Sequence, residues 1–203
     1  MSTALERTEL QVAMPAGWYA MPDPEAPGAP AWPYEMVGRL GFEGQDAVSA
    51  VVSLADALDR ARAQARPRRL RWVFLGEPPV AVVQAWARLD VVPRLQPDGR
   101  TASDTWERGV RNAPHAGEAA VWHREVARRT VHGDPAVTIH DLLTVRSAPD
   151  ASGTVQHRTV VTMFPAEPIV VSLSVSTPLL AALPDVEATA LEIANGIRLG
   201  EPS

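Results

Sequence analysis

The chain has 203 residues, of which 46% are hydrophobic and 21% charged, and its formal net charge is −5. These values are typical of a globular protein with one sizeable core, and the acidic balance argues against nucleic acid or an anionic membrane as a partner. The sequence has no cysteine, and all 19 basic residues are arginine. Disulfides, thiolate catalysis, cysteine-bound metals and lysine Schiff-base chemistry are therefore excluded.

The N-terminal region predicts neither export nor membrane insertion. Glu6, Arg7 and Glu9 lie where a signal peptide needs an apolar segment, and no run approaches the roughly 18 apolar residues of a membrane span. We therefore expect a cytoplasmic protein with no membrane association. No repeat or linker divides the chain, so residues 1–203 are predicted to form a single domain. The first seven residues and the proline-rich stretch 22–33 are expected to be irregular.

The first half of the chain predicts strands and one long helix. Leu10 to Met14 alternates like a short strand, and further strands are predicted over 34–40, 70–75 and 83–91. Apolar residues recur at helical spacing over 45–65, which predicts a helix there.

An arginine cluster over 60–71, including Arg66 and Arg69, follows this predicted helix. Cations at a helix C-terminus offset the negative end of the helix dipole. The alternative is a binding patch for an anion or an acidic partner, because guanidinium groups suit carboxylates and phosphates.

Trp86 falls on the polar side of the predicted strand 83–91. Two interpretations are open for it. An exposed tryptophan is a good anchor for a protein interface. A second layer of helices covering that side of the sheet would bury it instead.

The middle of the chain gives weaker patterns. Within 101–116, Ser103 or Asp104 could cap a short helix that carries Trp106. A helix is predicted over 118–130, where Glu125 is spaced to pair with an arginine one turn later.

The C-terminal third, from 136 to 200, predicts three strands followed by a helix. Apolar residues alternate along each strand, which indicates an antiparallel sheet with one strongly apolar face. The helix predicted over 184–195 should cover that face. Leu173 lies at the centre of the cleanest alternation, and Ser172, Ser174 and Ser176 fall on the opposite, polar side.

Candidate chemistry concentrates around one carboxylate and two histidines. Asp141 is the one polar residue on the apolar side of its strand. It is therefore a functional carboxylate, the partner of an arginine such as Arg158, or a residue that a β-bulge turns outward. His140 points to the opposite face and could neighbour His157 across a hairpin. No spacing of these residues forms a recognised metal or catalytic motif, so no catalytic residue, metal or cofactor is assigned.

The order of elements resembles a known family. The matching segments are VVSLSVSTP at 170–178, IANGI at 193–197, GDPAV at 133–137 and PAGW at 15–18. Together they resemble actinobacterial proteins with a PsbP-like fold. That resemblance implies an α/β/α sandwich and no catalytic residues, and better-known members are accessory subunits, binding factors and lipoproteins. The chain departs from the lipoproteins because it has no lipidation cysteine.

The sequence thus predicts an α+β fold, with an antiparallel sheet of about six strands flanked by at least three helices. The expected function is that of a non-enzymatic accessory protein with a protein partner. The alternatives are a binder of a small or apolar ligand beside the sheet, and a hydrolase using Asp141 and a nearby histidine. The candidate binding residues are Trp86, Asp141, His140, His157, Arg66 and Arg69.

Overall fold

The computed structural model describes residues 9–63, 69–96, 98–112, 119–145 and 153–200. Its strands are β1 (Glu9–Val12), β2 (Trp18–Ala20), β3 (Arg69–Phe74), β4 (Ala85–Pro93), β5 (Ala119–Val131), β6 (Asp134–Val145), β7 (Thr154–Met163), β8 (Ile169–Thr177) and β9 (Ile197–Gly200). Its helices are α1 (Trp32–Leu40), α2 (Gly44–Ala63), α3 (Gly99–Asn112) and α4 (Val186–Asn195).

The described part of the chain has the α+β fold that the sequence predicts. Seven strands form one antiparallel sheet in the order β2-β3-β4-β8-β7-β6-β5, and β1 pairs with β9 in a second, two-stranded sheet. The sequence predicts about six strands for this sheet: β2 and β5 join it from segments not predicted as strands, whereas 34–40 is not a strand and the predicted strand near Leu10 is β1 of the second sheet.

One side of the large sheet is a closed apolar layer, which we call the closed face. Leu173 is fully buried at its centre, in register with Leu89 on β4 and Val161 on β7. Helix α4 packs onto it, as predicted, with Val186, Ala190 and Ile193 in the same buried cluster. The β1–β9 pair contributes Ile197 and Val12 to this layer.

The other side, which we call the groove face, is covered at its two ends by helices of the described part of the chain. At one end, α1 and α2 pack on Val73 through buried residues such as Met36 and Leu54. At the other end, α3 packs on Val137 of β6 through Ala102. Helices thus lie on both sides of the sheet, and the middle of the groove face is left between α2 and α3.

The prediction of one apolar face for all three C-terminal strands was wrong. The apolar side of β8 faces α4, but the apolar side of β6 is the groove face. The pairing places Val137 beside Thr162, and both lie on the groove side. The cause is that α3 covers β6 from the side opposite to α4, so β6 carries its apolar residues on the groove face.

The strand predicted over 34–40 is instead part of helix α1. Pro33 lies in the first turn of this helix, where a missing N–H costs nothing. Gly41 ends it in the left-handed conformation, with φ of 72°, and its N–H bonds to the carbonyl of Val37. Proline at the start and glycine just past the end are helix signals that the alternating apolar residues obscured.

The helix predicted over 118–130 is instead the edge strand β5, which pairs along its whole length with β6. The prediction rested on Ala119, Trp122 and Val126, which are spaced like one face of a helix, but Trp122 lies at a register shift between β5 and β6. The pairing expected between Glu125 and an arginine one turn later is absent: Glu125 contacts His123, at 3.0 Å between Oε1 and Nε2. Long-range pairing outweighed local propensity here.

Smaller differences concern element ends. Helix α3 begins at Gly99 rather than at Ser103 or Asp104, and the Asp98 carboxylate accepts a hydrogen bond from the Thr101 N–H at 2.7 Å. Ile197, which continues the helical spacing of Val186, Ala190 and Ile193 in the sequence, lies in β9. Arg66 and the first seven residues lie outside the described residues.

Candidate functional site

A cleft of about 580 Å³ opens on the groove face beside α3. Strands β4 and β8 form its floor, and α3 forms one wall. One end of the cleft is polar and the other is apolar. Its polar lining includes Arg69, Arg88, Asp90, Thr162 and Ser172, and its apolar lining includes Val92, Leu95, Ala102, Trp106, Val110 and Val170.

The polar end follows from the register of three neighbouring strands. Ser174 of β8 lies opposite Arg88 of β4 on one side and Val160 of β7 on the other. One step along, Ser176 lies opposite Arg158. Because alternate residues share a face, these serines and arginines all lie on the groove face, opposite Leu173. The alternation that makes the closed face apolar therefore makes this face polar.

Four arginines on this face form what we call the arginine strip: Arg69, Arg71, Arg88 and Arg158. Asp90 lies among them and pairs with both Arg69 and Arg88; the contact from Arg88 Nε is 3.1 Å. The Arg69 side chain is only 5% exposed, so this ion pair is largely removed from water.

Burial, together with crowding of like charges, disfavours the charged forms of Arg71 and Arg88. Burial lowers the pKa of Arg71, and the neighbouring charge of Arg69 lowers it further. Burial also lowers the pKa of Arg88, although Asp90 partly opposes this shift. Both guanidinium groups remain charged at neutral pH, but each has a less favourable environment than water. A bound anion would improve that environment.

Asp141 lies beside the strip and is fully buried. Its carboxylate accepts hydrogen bonds from Arg124 Nε at 2.7 Å and from Arg158 Nη2 at 2.6 Å. Burial alone would raise the pKa of Asp141, but the hydrogen bonds and charges of the two arginines outweigh it and hold the pKa below its ordinary value. The carboxylate is therefore a fixed anion that orients Arg158, which is the arginine-partner alternative raised from the sequence.

Buried side-chain atoms near the strip include some that make no hydrogen bond to another described residue. Thr162 is fully buried and lines the cleft, and its Oγ1 is one of these atoms. Arg158 Nε and Trp86 Nε1 are others, outside the cleft lining. Buried polar groups are nearly always hydrogen-bonded to protein or to water, so Thr162 Oγ1 can be satisfied by water or by a ligand in the cleft.

The apolar end of the cleft carries exposed hydrophobic side chains. Leu95 is 86% exposed, Val92 is 48% exposed and Trp106 is 43% exposed. On α3, Ala102, Trp106 and Val110 share one helical face, which is turned to the cleft. Exposed apolar side chains gathered in one concavity are typical of binding sites, whereas scattered ones are not.

Trp86 lies next to Arg88 on the groove side of β4, against helices α1 and α2. It packs on the cluster formed with α1 and α2, and the Arg60 guanidinium lies 5.3 Å from its ring centroid. The structure therefore gives the second-layer arrangement for Trp86. Arg69, also proposed as a site residue, lines the cleft itself.

His140 and His157 are neighbours across β6 and β7, with ring centroids 5.9 Å apart. His140 Nδ1 lies 2.9 Å from Thr159 Oγ1. Burial lowers the pKa of His157, and the adjacent His140 adds to the shift. Both rings lie on the closed-face side of the sheet, opposite Asp141, so they do not share a site with it. No cluster of three potential metal ligands occurs among the described residues.

The sequence did not single out Arg88, Thr162 or Trp106 as site residues. Their positions depend on which strands become neighbours, and β4 and β8 are far apart in the chain. One signal was present in the sequence. Polar residues alternate with apolar ones on each strand, Arg88 and Asp90 on β4 and three serines on β8, which predicts a polar surface even before the pairing is known.

Comparisons with known proteins identify no family. No family model matches the sequence, and no curated protein matches it either. Among solved structures, LpqN, described as involved in cell envelope biogenesis of Mycobacterium tuberculosis, aligns with a TM-score of 0.43 and 11% identity, over 95% of this chain and 83% of that one. A Bacteroides thetaiotaomicron protein aligns with a TM-score of 0.43 and 8% identity, over 95% of this chain. This chain covers 45% of the length of the Bacteroides protein.

The resemblance to PsbP-like proteins and the actinobacterial origin remain predictions. None of the helices in the described part of the chain is long and apolar enough to cross a membrane.

Proposed function

We propose that this protein is a non-enzymatic accessory protein that works by binding an anionic ligand in the cleft beside α3. The observation that carries the proposal is that Arg69 and Arg88 of the arginine strip line the cleft, with the hydroxyl-bearing Ser172 and Thr162 beside them. Of the functions considered from the sequence, this is the binder of a small ligand beside the sheet. A cytoplasmic location and a PsbP-like relationship belong to the same proposal.

The charges of the groove face favour an anion over a cation or a neutral ligand. Arg69 and Arg88 share one carboxylate, and Arg124 and Arg158 share another. Among the described residues that line the cleft, three are arginines (Arg69, Arg88 and Arg94) and one is a carboxylate (Asp90), although the chain as a whole is acidic. Charge-assisted hydrogen bonds from arginine to an oxyanion are stronger than neutral ones, particularly where water is partly excluded.

The same geometry favours binding over catalysis. A hydrolase using Asp141 would need that carboxylate to accept a hydrogen bond from a catalytic histidine, or to take a proton from a water. Asp141 instead accepts hydrogen bonds from two arginines, and its pKa is held low. A nucleophilic serine requires a general base within hydrogen-bond reach. The serines of β8 lie beside arginines instead, which do not supply that base.

The test is anion binding measured by calorimetry, with citrate as the probe and sodium chloride added to keep the ionic strength constant. We expect saturable binding that weakens at least tenfold in Arg88→Gln. Arg88 suits this test because its side chain is 40% exposed and Asp90 keeps Arg69 as a partner when Arg88 is replaced.

The matched control is Arg108→Gln. Arg108 is exposed on α3 but does not line the cleft, so this variant changes the net charge by the same amount. It should bind citrate as the unmodified protein does. Equal weakening in both variants would mean that only overall charge matters, and the proposal would be wrong.

A second candidate function is interaction with a protein partner, favoured by an uncovered part of the closed-face side. Trp122 is 71% exposed, and its Nε1–H donates to Thr144 Oγ1 at 2.8 Å. Val155, opposite Thr144, is 53% exposed. We expect Trp122→Glu to abolish cross-linking to a stoichiometric partner in the producing cell while leaving citrate binding unchanged. Cross-linking unaffected by this substitution would remove this candidate.

A further inference from the structure

The apolar end of the cleft narrows the chemistry of the ligand. From it we infer that the ligand is an amphipathic carboxylate, with its charged group at the arginine strip and an alkyl chain along α3. This inference rests on the proposed anion binding and adds the part of the ligand that does not carry charge.

The two ends of the cleft are joined along β4 and β8. Arg88 and Asp90 are followed on the same side of β4 by Val92, and Ser172 is followed on the same side of β8 by Val170. A ligand lying along these strands therefore passes from guanidinium and hydroxyl groups to apolar side chains. The distance between alternate residues of a strand is about 7 Å, so the change occurs within a few carbon–carbon bonds.

The wall of the cleft changes in the same way. Helix α3 presents Ala102, Trp106 and Val110, and it places no charged side chain in the lining. Its charged residues are turned elsewhere: Glu107 binds Arg128 at 2.6 Å and Arg111 at 3.0 Å, over β5. The helix thus separates an ionic side, which fixes it to the sheet edge, from an apolar side, which is left open in the cleft.

Size and shape agree with a small amphipathic molecule. Ligand cavities of about 300–1,000 Å³ are usual for small molecules, and the cleft of about 580 Å³ lies within that range. A highly charged ligand such as an acidic peptide would use the strip but would leave Val92, Leu95 and Trp106 in water. An alkyl chain would cover all three. The charge at one end and the apolar surface at the other therefore favour a medium-chain alkyl carboxylate.

The experiment is a calorimetric series with butanoate, hexanoate, octanoate and decanoate, each below its micelle concentration. Burying one methylene contributes enough to tighten binding by up to about fourfold. We expect affinity to rise at least tenfold from butanoate to octanoate. Arg88→Gln should weaken binding of every acid in the series. Trp106→Ala should weaken only the longer acids, by at least fivefold for decanoate.

The control for Trp106→Ala is Trp122→Ala, because both tryptophans are exposed and only Trp106 lines the cleft. Trp122→Ala should bind decanoate as the unmodified protein does. Equal weakening of decanoate binding in the two variants would overturn the inference, because the alkyl chain would then have no specific contact with Trp106 in the cleft.

Two further probes separate this inference from the proposed function. Arg88-dependent binding of citrate together with no effect of chain length would overturn the alkyl chain and leave anion binding intact. Decanol binding as tightly as decanoate would show that the carboxylate does not contribute to binding, which would overturn both this inference and the proposed function. A glutamate hexamer that binds more tightly than decanoate would overturn the alkyl carboxylate in favour of an acidic peptide.

Discussion

The two sides of strand β8 belong to different environments, although they are made by alternate residues of one nine-residue segment. On the closed face, Val171, Leu173 and Val175 are at most 1% exposed and lie under α4. On the groove face, Ser172 and Ser174 are half-buried and lie beside Asp90 and Arg88. The apolar side holds the fold together, and the polar side is left available because helices cover only its ends.

This difference explains the cleft, which is the part of the groove face between helices α2 and α3. Helices α2 and α3 cover the groove face where it is apolar, at Val73 and Val137. Between them the face is polar, and a helix there would have to bury several guanidinium groups. Burying charges without matching partners is costly, so a helix packed over this part of the sheet would have to supply partners for them.

The largest loss of stability is expected from a substitution at Leu173, on the closed face of β8. Replacing it with alanine should lower the free energy of unfolding by about 2–5 kcal/mol, because a buried leucine leaves a cavity when it is truncated. Ser174→Ala, one residue along, should change it by less than about 0.5 kcal/mol, as substitutions away from the core usually do. Urea denaturation of both variants measures the difference. Equal midpoints would mean that the register of β8 is wrong.

A smaller effect is expected at Asp141, on the groove side. Asp141→Asn should cost about 2–3 kcal/mol, because it leaves Arg124 and Arg158 without their shared anion. The cost is below that of a fully buried pair, since the Arg158 side chain is 34% exposed. The control is Asp59→Asn, which breaks the ion pair of the exposed Asp59 with Arg62 and should cost less than about 1 kcal/mol. Similar losses in both variants would show that Asp141 is not buried between its arginines.

Acid pH should reduce the difference in stability between the unmodified protein and Asp141→Asn. The pKa of Asp141 is lower in the folded protein than the ordinary value of about 3.9, so the unfolded chain binds the proton more readily. Its contribution is therefore fully present above about pH 5 and is lost as the pH falls through the folded pKa. In urea denaturation from pH 7 to pH 3, the gap between the unmodified protein and Asp141→Asn should narrow. A gap that stays constant would mean that the pKa is not lowered by folding.

The smallest effect concerns the exposed tryptophans. Trp106→Ala and Trp122→Ala should each change the free energy of unfolding by less than about 1 kcal/mol, because both side chains already contact water. Thermal denaturation by circular dichroism is sufficient to measure this. A large loss in Trp106→Ala would mean that this side chain is part of the core and that the apolar end of the cleft is closed.

The sequence predicted those parts of the fold whose apolar period is undisturbed. Strand β8 alternates at every position and α4 offers a continuous stripe, so both were found with their contact. Strand β5 was missed because its two sides face different surroundings: His123 and Glu125 lie on an uncovered side, and Arg124 pairs with the buried Asp141. A strand that buries neither side evenly has no period of two to detect.

The candidate site was harder to predict than the fold, for a related reason. Arg88 and Ser174 become neighbours only through the pairing of β4 with β8, and nothing local to either residue indicates the other. Asp141 could be singled out, because it is the one polar residue among apolar ones on its strand. Its role followed from Arg124, whose strand had been predicted as a helix.

The most direct test of the central claim, that the groove face binds an anionic ligand, is to locate the ligand by NMR. The ¹⁵N-labelled protein would be titrated with decanoate, and chemical-shift changes would be followed residue by residue. We predict the largest changes at the amides of Arg88, Ser172 and Ser174 and at the Trp106 indole, with little change along α4. Changes centred on α4 or on Trp122, or saturation with no change at Arg88 and Ser174, would contradict the account.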